Sequence, residues 1–432
     1  MTLEDRYQTC LKTMFGLGRF GIILGLSTIR GILDGLGNPQ QTFQCIHVAG
    51  TNGKGSVASA LATIFHFAGY RVGLYTSPHL VHFNERIQID GQPISNDDVV
   101  ASYEAVRSVH RGEREPTFFE FSTAMAFHQF GRQGVDWAII ETGMGGRLDA
   151  TNIMSPALSI ITNISLEHQA YLGNTIARIA GEKAGIIKQE KPVVTAASQK
   201  SARSVIMNKA VEMKAPVYRL GNEFRIRRNP GGNRFQYNGV DGTVWQNMQT
   251  SLLGAYQAEN AALAMAACEI LDLNGSARLP ETAIRKGLLS NRWPGRLEIL
   301  SNAPTVLLDG AHNMAAVRPL ARFLGEQFAG KRITLVSGIL DDKAYPDMLR
   351  RLLPLCSNAV LTQPKIDRSI PPEALRKEAE KIISDIQVIP DVAAAVNHAI
   401  QTSNPEDAVC ITGSLYLVGE VKEAIEKGLV AL

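Results

Sequence analysis

Short apolar segments alternate with segments of helical periodicity along the first half of the chain. Five of them have the length and composition of buried strands: 44–50, 71–77, 136–143, 157–164 and 192–197. Between the first two, apolar residues such as Val57 and Leu61 recur at helical spacing and predict a helix over 56–68. Strands that alternate with helices in this way favour a parallel sheet covered by helices on both faces.

A second series of apolar segments begins near residue 305, at 305–311, 333–339, 358–364, 385–391 and 408–414. The segment NRWPGRLE, residues 291–298, separates the two series and is predicted to be a linker. At 432 residues the chain is also longer than a single core usually supports. We therefore predict two α/β domains, and we expect ligands to bind beyond the carboxyl ends of their strands.

The composition is that of an ordinary globular protein, and a net charge of +3 is too small to favour nucleic acid or an acidic membrane. The basic stretch FRIRRNPGGNR, residues 224–234, is predicted to be a solvated hairpin rather than an RNA-binding surface. The five cysteines form no C-x-x-C pair, so we expect buried, reduced thiols. No signal peptide or membrane-spanning stretch is evident, and we expect a cytoplasmic protein.

The segment HVAGTNGKGSV, residues 47–57, follows the first predicted strand and opens the first predicted helix. It departs from the common phosphate loop G-x-x-x-x-G-K-S/T, because Gly55 follows Lys54 and Val48 stands in place of the first glycine. Gly53 nevertheless lets backbone N–H groups face an anion, and the helix N-terminus adds partial positive charge.

The side chains of this loop suit a nucleotide. Lys54 can reach the outer phosphates, and the hydroxyl of Ser56 or Thr51 can approach a magnesium ion. Glycine-rich turns between a strand and a helix also occur without any ligand. The added lysine and hydroxyl favour phosphate binding.

Polar residues follow the neighbouring strands at the same edge of the predicted sheet. Ser77 ends the second strand, Glu141 ends the third, and His168 follows the fourth. A carboxylate at this edge is the usual partner of a phosphate-bound magnesium ion. The alternatives are a surface carboxylate for Glu141 and a packed or surface imidazole for His168.

Lys183 falls on the apolar face of a predicted helix, which it shares with Ile176, Ile179, Ala180 and Ile187. An isolated ammonium in a low dielectric is costly, so a lysine there must be paired or neutral. The sequence leaves two alternatives open. Either the stem carries the amine to solvent, or the amine points into the metal site as an ion-pair partner or a modified side chain.

Ten segments in order resemble the folylpolyglutamate synthase and dihydrofolate synthase family of the Mur-ligase superfamily. They are HVAGTNGKGSV, GLYTSPHLVHFNERI, FFEF, IIETGMGGRLDATN, LEHQAYLG, GEKAGIIK, AYQAENAALA, WPGRLE, LLDGAHN and ITGSLYL, between residues 47 and 417. The loop form G-T-N-G-K-G-S is typical of these ligases. The resemblance implies a P-loop-type ATPase domain with a parallel sheet over 1–296 and a smaller Rossmann-like glutamate-ligase domain over 297–432.

The resemblance also implies roles for residues at matching positions. ATP would contact Gly53, Lys54, Gly55, Ser56, Asn260, Arg296 and Asp309. One magnesium ion would be held by Ser77 and Glu141, and a second by Glu141, His168 and Lys183, the lysine being carbamylated. The pterin-binding segments would be Thr117, Phe118, Phe119 and Glu120 with Leu148, Asp149 and Ala150. Arg86, His312 and Ser414 would lie near the incoming glutamate, with His312 as a possible general base.

The implied reaction is ATP-dependent amide-bond formation between a folate-type carboxylate and the amine of L-glutamate. The carboxylate attacks the γ-phosphoryl group to give an acyl phosphate, which the amine then attacks. We expect both dihydropteroate and reduced folates to be acceptors, the alternative being a monofunctional folylpolyglutamate synthase. We expect a monomer that binds neither nucleic acid nor membrane.

Three other classes fit the sequence less well. A cell-wall Mur ligase carries a nucleotide-sugar domain before the loop, whereas 49 residues precede Gly50 here. A non-catalytic nucleotide-binding relative would have lost residues among Lys54, Glu141, His168 and Lys183, and all four are present. A P-loop GTPase would carry a base-reading N-K-x-D motif, which the chain lacks.

Overall fold

The computed structural model describes residues 2–21, 23, 25–112, 114–229 and 234–432, without the side chains of residues 19 and 20. The chain divides into two compact units. The first consists of Met1–Ser251 and Gln257–Asn291, and the second of Leu252–Tyr256 and Arg292–Leu432. Both units are α/β, which confirms the predicted fold class.

An eight-stranded sheet forms the centre of the first unit. Its strands are β1 (Gln44–Ala49), β2 (Val72–Tyr75), β3 (Ile87–Ile89), β4 (Gln92–Pro93), β5 (Trp137–Glu141), β6 (Leu158–Ile161), β7 (Val193–Thr195) and β8 (Val217–Arg219). They lie in the order β4-β3-β2-β5-β1-β6-β7-β8, and all adjacent pairs from β2 to β8 are parallel. The five strands predicted from the first apolar series are all present. Four central strands are buried along their whole length, as a sheet covered on both faces requires.

Ten helices belong to the described part of the chain up to residue 291. They are α1 (Leu3–Gly16), α2 (Ser27–Gly35), α3 (Lys54–Phe67), α4 (Asn96–Val109), α5 (Phe118–Gln133), α6 (Gln169–Leu172), α7 (Ile176–Ala184), α8 (Lys200–Glu212), α9 (Ala255–Leu273) and α10 (Glu281–Ser290). Short 3₁₀ helices cover Leu17–Phe20, Pro39–Gln41, Phe83–Arg86 and Ala150–Ile153.

Helix α10 closes against α3, the helix that the glycine-rich loop opens. A Cβ at Gly287 would lie 2.6 Å from the Cα of Ile64, so the two backbones approach as closely as glycine allows. The hydroxyl of Ser59 also donates to Oδ1 of Asn291 over 2.5 Å. Helix α10, the last of the first unit, therefore packs directly against α3, which lies early in the sequence.

A small antiparallel sheet contains the predicted hairpin. Its strands are β9 (Arg225–Arg228), β10 (Arg234–Asn238) and β11 (Val244–Gln249), with β10 in the middle. Strands β9 and β10 pair antiparallel as predicted for a hairpin, and Arg225, Arg227 and Arg234 are exposed; the tip, residues 230–233, lies outside the described residues. The expectation that this stretch does not bind RNA stays a prediction. The hydroxyl of Tyr237 donates to Oε2 of Glu269 on α9 over 2.8 Å.

The second unit has a six-stranded sheet. Its strands are β12 (Glu298–Asn302), β13 (Thr305–Asp309), β14 (Ile333–Ser337), β15 (Asn358–Leu361), β16 (Ile386–Val388) and β17 (Ala408–Thr412), in the order β12-β13-β17-β14-β15-β16. Only β12 is antiparallel to its neighbour. The helices are α11 (Met314–Gln327), α12 (Tyr345–Leu352), α13 (Pro372–Ala379), α14 (Val392–Gln401) and α15 (Leu415–Glu426), with a 3₁₀ helix at Leu353–Leu355. All five strands of the second apolar series are present.

The five cysteines are free thiols, and four of them are buried. Burial raises the pKa of the Cys45 thiol to about 12. Among the described helices, none has both the length and the apolar character needed to cross a membrane. The division of the chain into domains at 296/297 stays a prediction.

Candidate active site

The glycine-rich loop between β1 and α3 has a backbone that only glycine can adopt. Gly53 has a φ of +86°, and a Cβ there would lie 2.5 Å from Oδ1 of Asn260. Gly50 has a φ of +150°, and a Cβ there would lie 1.8 Å from Oγ1 of Thr162. No side chain of the described residues caps the N-terminus of α3, so its first N–H groups remain available to an anion.

Lys54 lies over this loop. Its Nζ donates to the carbonyl oxygens of Gly50, at 3.2 Å, and Thr51, at 3.3 Å, and lies 4.0 Å from Oε1 of Glu141. These are long contacts to groups that a phosphate oxygen can replace. The ammonium is therefore held at the mouth of the loop by weak partners.

Glu141 and Ser77 meet beside Lys54 at the carboxyl edge of the sheet. The strands β5 and β1 are in parallel register with Val48 opposite Glu141, which places the carboxylate next to the start of the loop. The backbone N–H of Ser77 donates to Oε2 of Glu141 over 3.2 Å. Two of the four predicted metal-binding residues are thus adjacent.

Asn260 and Gln257, on the first turns of α9, reach the loop from the other side. The side-chain amide of Asn260 donates to Oε1 of Gln257 over 2.8 Å, and Gln257 in turn donates to Oγ of Ser56 over 3.4 Å. The predicted nucleotide-binding residue Asn260 therefore lies at the loop, although more than 200 residues separate the two in sequence.

Lys183 is 1% exposed, which confirms that it points inward. Its Nζ lies 2.6 Å from Oε1 of Glu167 and donates to the carbonyl oxygen of Gly50 over 2.7 Å. Burial lowers the pKa of Lys183 to about 8, and the negative charge of Glu167 opposes part of that shift. The amine is thus paired in the interior, and the alternative in which its stem reaches solvent is wrong.

Glu167 is a site residue that the sequence analysis missed. The residue predicted to bind metal is the next one, His168, whose side chain is exposed and whose backbone has a φ of +44°. Among the described residues, no three His, Cys, Asp or Glu side chains group together as a metal site. Glu167 could have been identified from the sequence. A buried lysine needs an acidic partner, and Glu167 is the acidic residue in the segment LEHQAYLG.

Thr117 and Glu120 form a capping box at the start of α5. The N–H of Glu120 donates to Oγ1 of Thr117 over 3.2 Å, and the N–H of Thr117 donates to Oε2 of Glu120 over 2.8 Å. Arg114 forms an ion pair with the same carboxylate at 2.7 Å. Thr117 and Glu120, both predicted to bind the pterin, therefore also stabilise the N-terminus of α5, where Phe118 and Phe119 lie.

Phe118 and Phe119 lie in an aromatic cluster at the start of α5. The guanidinium carbon of Arg86 lies 5.0 Å from the centre of the Phe118 ring, a cation–π arrangement. Nε of Arg86 donates to Nδ1 of His79 over 2.7 Å, and burial lowers the pKa of His79 to about 3, so the imidazole is a neutral acceptor. Phe119 packs against Tyr75 with ring centres 6.1 Å apart.

Asp149 begins the 3₁₀ helix at Ala150–Ile153 and is buried, between half-buried Leu148 and buried Ala150. Its carboxylate accepts from the N–H of Met144 over 2.9 Å and from the N–H and hydroxyl of Thr151 over 3.0 and 2.5 Å. Burial raises the pKa of Asp149, while these hydrogen bonds oppose the shift. The carboxylate thus organises the loop from residue 144 to residue 151.

His47, on β1, contacts the same loop and was not identified from the sequence. It is fully buried, and its Nε2 lies 2.8 Å from Oγ1 of Thr151. Its Nδ1 has no hydrogen-bond partner among the described residues. Burial lowers the pKa of His47 to about 3, so the imidazole is neutral near pH 7.

Stability should fall in mild acid because of His47. The unfolded chain binds a proton at this residue below its ordinary pKa of 6.5, whereas the folded protein does not until about pH 3. Between those values the unfolded state binds more protons, so the free energy of unfolding decreases as the pH falls. Between pH 7 and pH 5, we expect wild type to lose about 2 kcal/mol more than His47→Gln in urea titrations. Equal losses would contradict a neutral, buried His47.

In the second unit, four predicted residues lie at the carboxyl ends of β13 and β17. Asp309 accepts from the N–H groups of Leu297 and Ala311, both at 2.9 Å, and burial raises its pKa while the charge of Arg296 opposes the shift. Nδ1 of His312 lies 2.8 Å from the carbonyl oxygen of Gly310, so Nδ1 carries a proton.

Ser414 begins α15, where its hydroxyl accepts from the N–H of Leu417 over 3.0 Å. The guanidinium of Arg296 lies across Gly310, where a Cβ would lie 2.4 Å from Nη1. The second unit therefore brings Arg296, Asp309, His312 and Ser414 to one edge of its sheet. The catalytic and binding roles of all the residues above stay predictions.

Comparison with known proteins places the chain in a family. Residues 48–268 match the Mur ligase middle domain, and residues 295–415 match the glutamate ligase domain of Mur ligases. The dihydrofolate synthase/folylpolyglutamate synthase of Bacillus subtilis is 37% identical, over 97% of this chain and 99% of that protein. The folylpolyglutamate synthase of Lacticaseibacillus casei is 37% identical, over 92% of this chain and 93% of that one.

Solved structures agree with this assignment. Escherichia coli FolC in complex with DHPP and ADP superposes with a TM-score of 0.89 at 31% identity, covering 97% of this chain and 98% of that one. Mycobacterium tuberculosis folylpolyglutamate synthase with ADP and AMPPCP gives a TM-score of 0.87 at 33% identity, with the same coverage. The chain belongs to the dihydrofolate synthase/folylpolyglutamate synthase family of Mur ligases, which confirms the resemblance and the prediction of an ATP-dependent ligase.

Proposed function

We propose that this enzyme adds L-glutamate both to dihydropteroate and to reduced folates, through an acyl phosphate, with release of ADP and phosphate. The observation that carries the proposal is the glycine-rich loop at the N-terminus of α3, which no side chain of the described residues caps. Lys54 lies at the mouth of this loop, 4.0 Å from Glu141. The bifunctional name of the Bacillus subtilis relative supports both acceptors, and the DHPP and ADP bound to Escherichia coli FolC support the two ligands.

The chain's own residues would promote phosphoryl transfer by position and charge. A carboxylate oxygen of the folate attacks the γ-phosphorus, and the bond from phosphorus to the β,γ-bridging oxygen breaks, which leaves ADP. The N–H groups at the start of α3 and the ammonium of Lys54 would stabilise the negative charge on the transferring group. The glutamate amine then attacks the acyl carbon, phosphate leaves, and the amine loses a proton. His312 is a candidate to accept it, because its Nδ1 proton is engaged by a carbonyl and leaves Nε2 as the basic nitrogen.

The residues around the loop fit Mg²⁺. This ion retains several waters and is usually held by one or two carboxylates together with substrate phosphates, so a single carboxylate beside a phosphate loop suffices. Glu141, with the hydroxyl of Ser77, would hold one ion. When bound, magnesium would neutralise phosphate charge and polarise the phosphoryl group.

The second proposed ion would involve Glu141, His168 and a carbamylated Lys183. With a pKa of about 8, roughly a tenth of the Lys183 amine is neutral at pH 7, and only the neutral amine adds to carbon dioxide. The resulting carbamate is negative and would lie beside Glu167. Two neighbouring anions, one buried and one partly buried, would require a cation between or near them, which suits a metal ion at this position.

The test is ATP- and glutamate-dependent phosphate release by purified protein, with magnesium and bicarbonate present. Dihydropteroate and tetrahydrofolate are supplied in parallel, and each reaction is repeated without glutamate as the control. Release with both acceptors is expected. Release with tetrahydrofolate alone would replace the proposal by a monofunctional folylpolyglutamate synthase, and release with neither would overturn it.

We also propose that the enzyme works as a monomer in the cytoplasm. The buried free thiols suit a reducing compartment. Each unit also has its own core, so neither needs a second copy to bury its apolar residues. Sedimentation at micromolar concentration with and without ATP should give the mass of one chain, 47.0 kDa.

A further inference from the structure

A chain of hydrogen bonds connects the strand that carries the phosphate loop to the loop that carries Asp149. Nε2 of His47 lies 2.8 Å from the hydroxyl of Thr151, and that hydroxyl lies 2.5 Å from Oδ1 of Asp149. Thr151 is fully buried, as is His47, and Asp149 is 5% exposed. The three groups therefore interact without competition from solvent, where each hydrogen bond is stronger than in water.

Which group donates in each of these hydrogen bonds follows from the number of protons that Asp149, Thr151 and His47 carry. Asp149 accepts from two backbone N–H groups, of Met144 and Thr151, as an ionised carboxylate does. The hydroxyl of Thr151 has one proton, which it gives to the carboxylate. Its oxygen must then accept from His47, so Nε2 of the neutral imidazole carries the proton and Nδ1 does not.

If His47 only filled space in the core, its imidazole would lower the stability of the fold. Nδ1 of His47 is buried with no partner among the described residues, and a buried polar atom left unsatisfied costs about 1–3 kcal/mol. An apolar side chain in β1 would avoid that cost. What the imidazole supplies, and leucine does not, is a buried N–H directed at Thr151.

We infer that His47 is a positioning residue for the pteridine-bearing substrate: acting through Thr151, it fixes the orientation of the Asp149 carboxylate and of the loop that the carboxylate organises. The inference rests on the proposed function, in which Asp149 belongs to the pterin-binding segment. It adds His47 and Thr151, both fully buried, as groups that would act on the substrate only through Asp149 and its loop. Because His47 stands three residues before Gly50 on β1, one strand would position both the phosphate loop and the acceptor loop.

The experiment compares His47→Leu, His47→Gln and Thr151→Val with wild type. Leucine removes the donor, glutamine can place an amide N–H near the position of Nε2, and valine removes the relay with little change of shape. Thr195→Val is the matched control, because Thr195 is also buried and its hydroxyl donates to the carbonyl of Ile161 over 2.7 Å and accepts from the N–H of Ala197 over 3.1 Å, neither bond involving the Asp149 loop.

We measure KM for dihydropteroate and for ATP, and the affinity for dihydropteroate directly by calorimetry. His47→Leu and Thr151→Val are expected to raise KM and Kd for dihydropteroate about tenfold, the loss of one buried hydrogen bond, with KM for ATP changed less than about twofold. His47→Gln should lie within about threefold of wild type, and Thr195→Val should be unchanged.

Three results would overturn the inference. One is an unchanged KM for dihydropteroate in both His47→Leu and Thr151→Val. Another is an equal rise of KM for ATP and dihydropteroate, which would indicate general distortion of β1. The third is a His47→Gln variant as impaired as His47→Leu. If His47→Leu does not fold, Thr151→Val carries the test alone. A wild type that binds dihydropteroate without releasing phosphate would refute the proposed function, and calorimetry of the variants would still decide the role of His47.

Discussion

Lys54→Met is expected to lower kcat/KM for ATP-dependent ligation about a thousandfold, or about 4 kcal/mol of transition-state stabilisation. The ammonium makes only long contacts to Gly50 and Thr51, at 3.2 and 3.3 Å, and lies 4.0 Å from Glu141. It is thus free to move toward a phosphate, and methionine keeps the length of the stem while removing the charge. Steady-state phosphate release with saturating acceptor and glutamate measures the effect.

Two controls separate lost chemistry from lost folding in this variant. Lys200→Met removes a lysine from the exposed start of α8 and should retain wild-type activity. Thermal unfolding of Lys54→Met should match wild type within a few degrees, because its weak contacts contribute little to stability. A Lys54→Met enzyme with more than about a tenth of wild-type activity would show that the loop N–H groups suffice without the ammonium.

Lys183→Met is expected to lose both activity and stability. Removing the amine leaves the partly buried Glu167 without its partner at 2.6 Å, and breaking one side of a largely buried ion pair costs about 3 kcal/mol. If Lys183 also serves the metal site, phosphate release should fall at least about a hundredfold. Urea titration measures the first effect and steady-state kinetics the second.

The double variant Lys183→Met/Glu167→Gln distinguishes the two roles of Lys183. Glutamine has nearly the shape of glutamate and no charge, so we expect it to recover most of the lost free energy of unfolding. Activity should stay at the level of the single variant. Recovery of activity together with stability would mean that Lys183 serves only the fold, and the proposed carbamate would be abandoned.

The framework of the site was readable from sequence because its signals are strong and local. Strands buried on both faces appear as continuous apolar segments, and the loop between β1 and α3 concentrates glycines around Lys54. The parallel order of the strands then brought Ser77 and Glu141 to one edge. The place of Lys183 on the inward face of α7 followed from helical periodicity, since Ile179 and Ala180 on the same face are buried as predicted. The inward direction of its amine did not follow from the sequence.

Glu167 and His47 were missed because hydrophobic periodicity does not show which way their side chains point or which partners they meet. Glu167 and His168 are neighbours in a loop, and the left-handed backbone at His168 determines which side chain points inward. The pairing of His47 with Thr151 joins positions 104 residues apart, and a strand buried on both faces does not reveal which partner its polar residue meets. The capping box of Thr117 and Glu120, in contrast, can be recognised from the sequence, since the spacing T-x-x-E in TFFE is typical of a helix N-terminus.

The contact between α10 and α3 has a consequence for synthesis on the ribosome. The phosphate loop is complete in sequence by residue 57, but Asn260 and Gln257, which border it, and Gly287, which covers Ile64, come 200 or more residues later. At about 5–20 residues per second, α3 would wait roughly 10 to 50 s for these partners. A nascent chain is therefore expected to acquire nucleotide affinity only after residue 291 has emerged, while an apolar face of α3 stays open to chaperones until then.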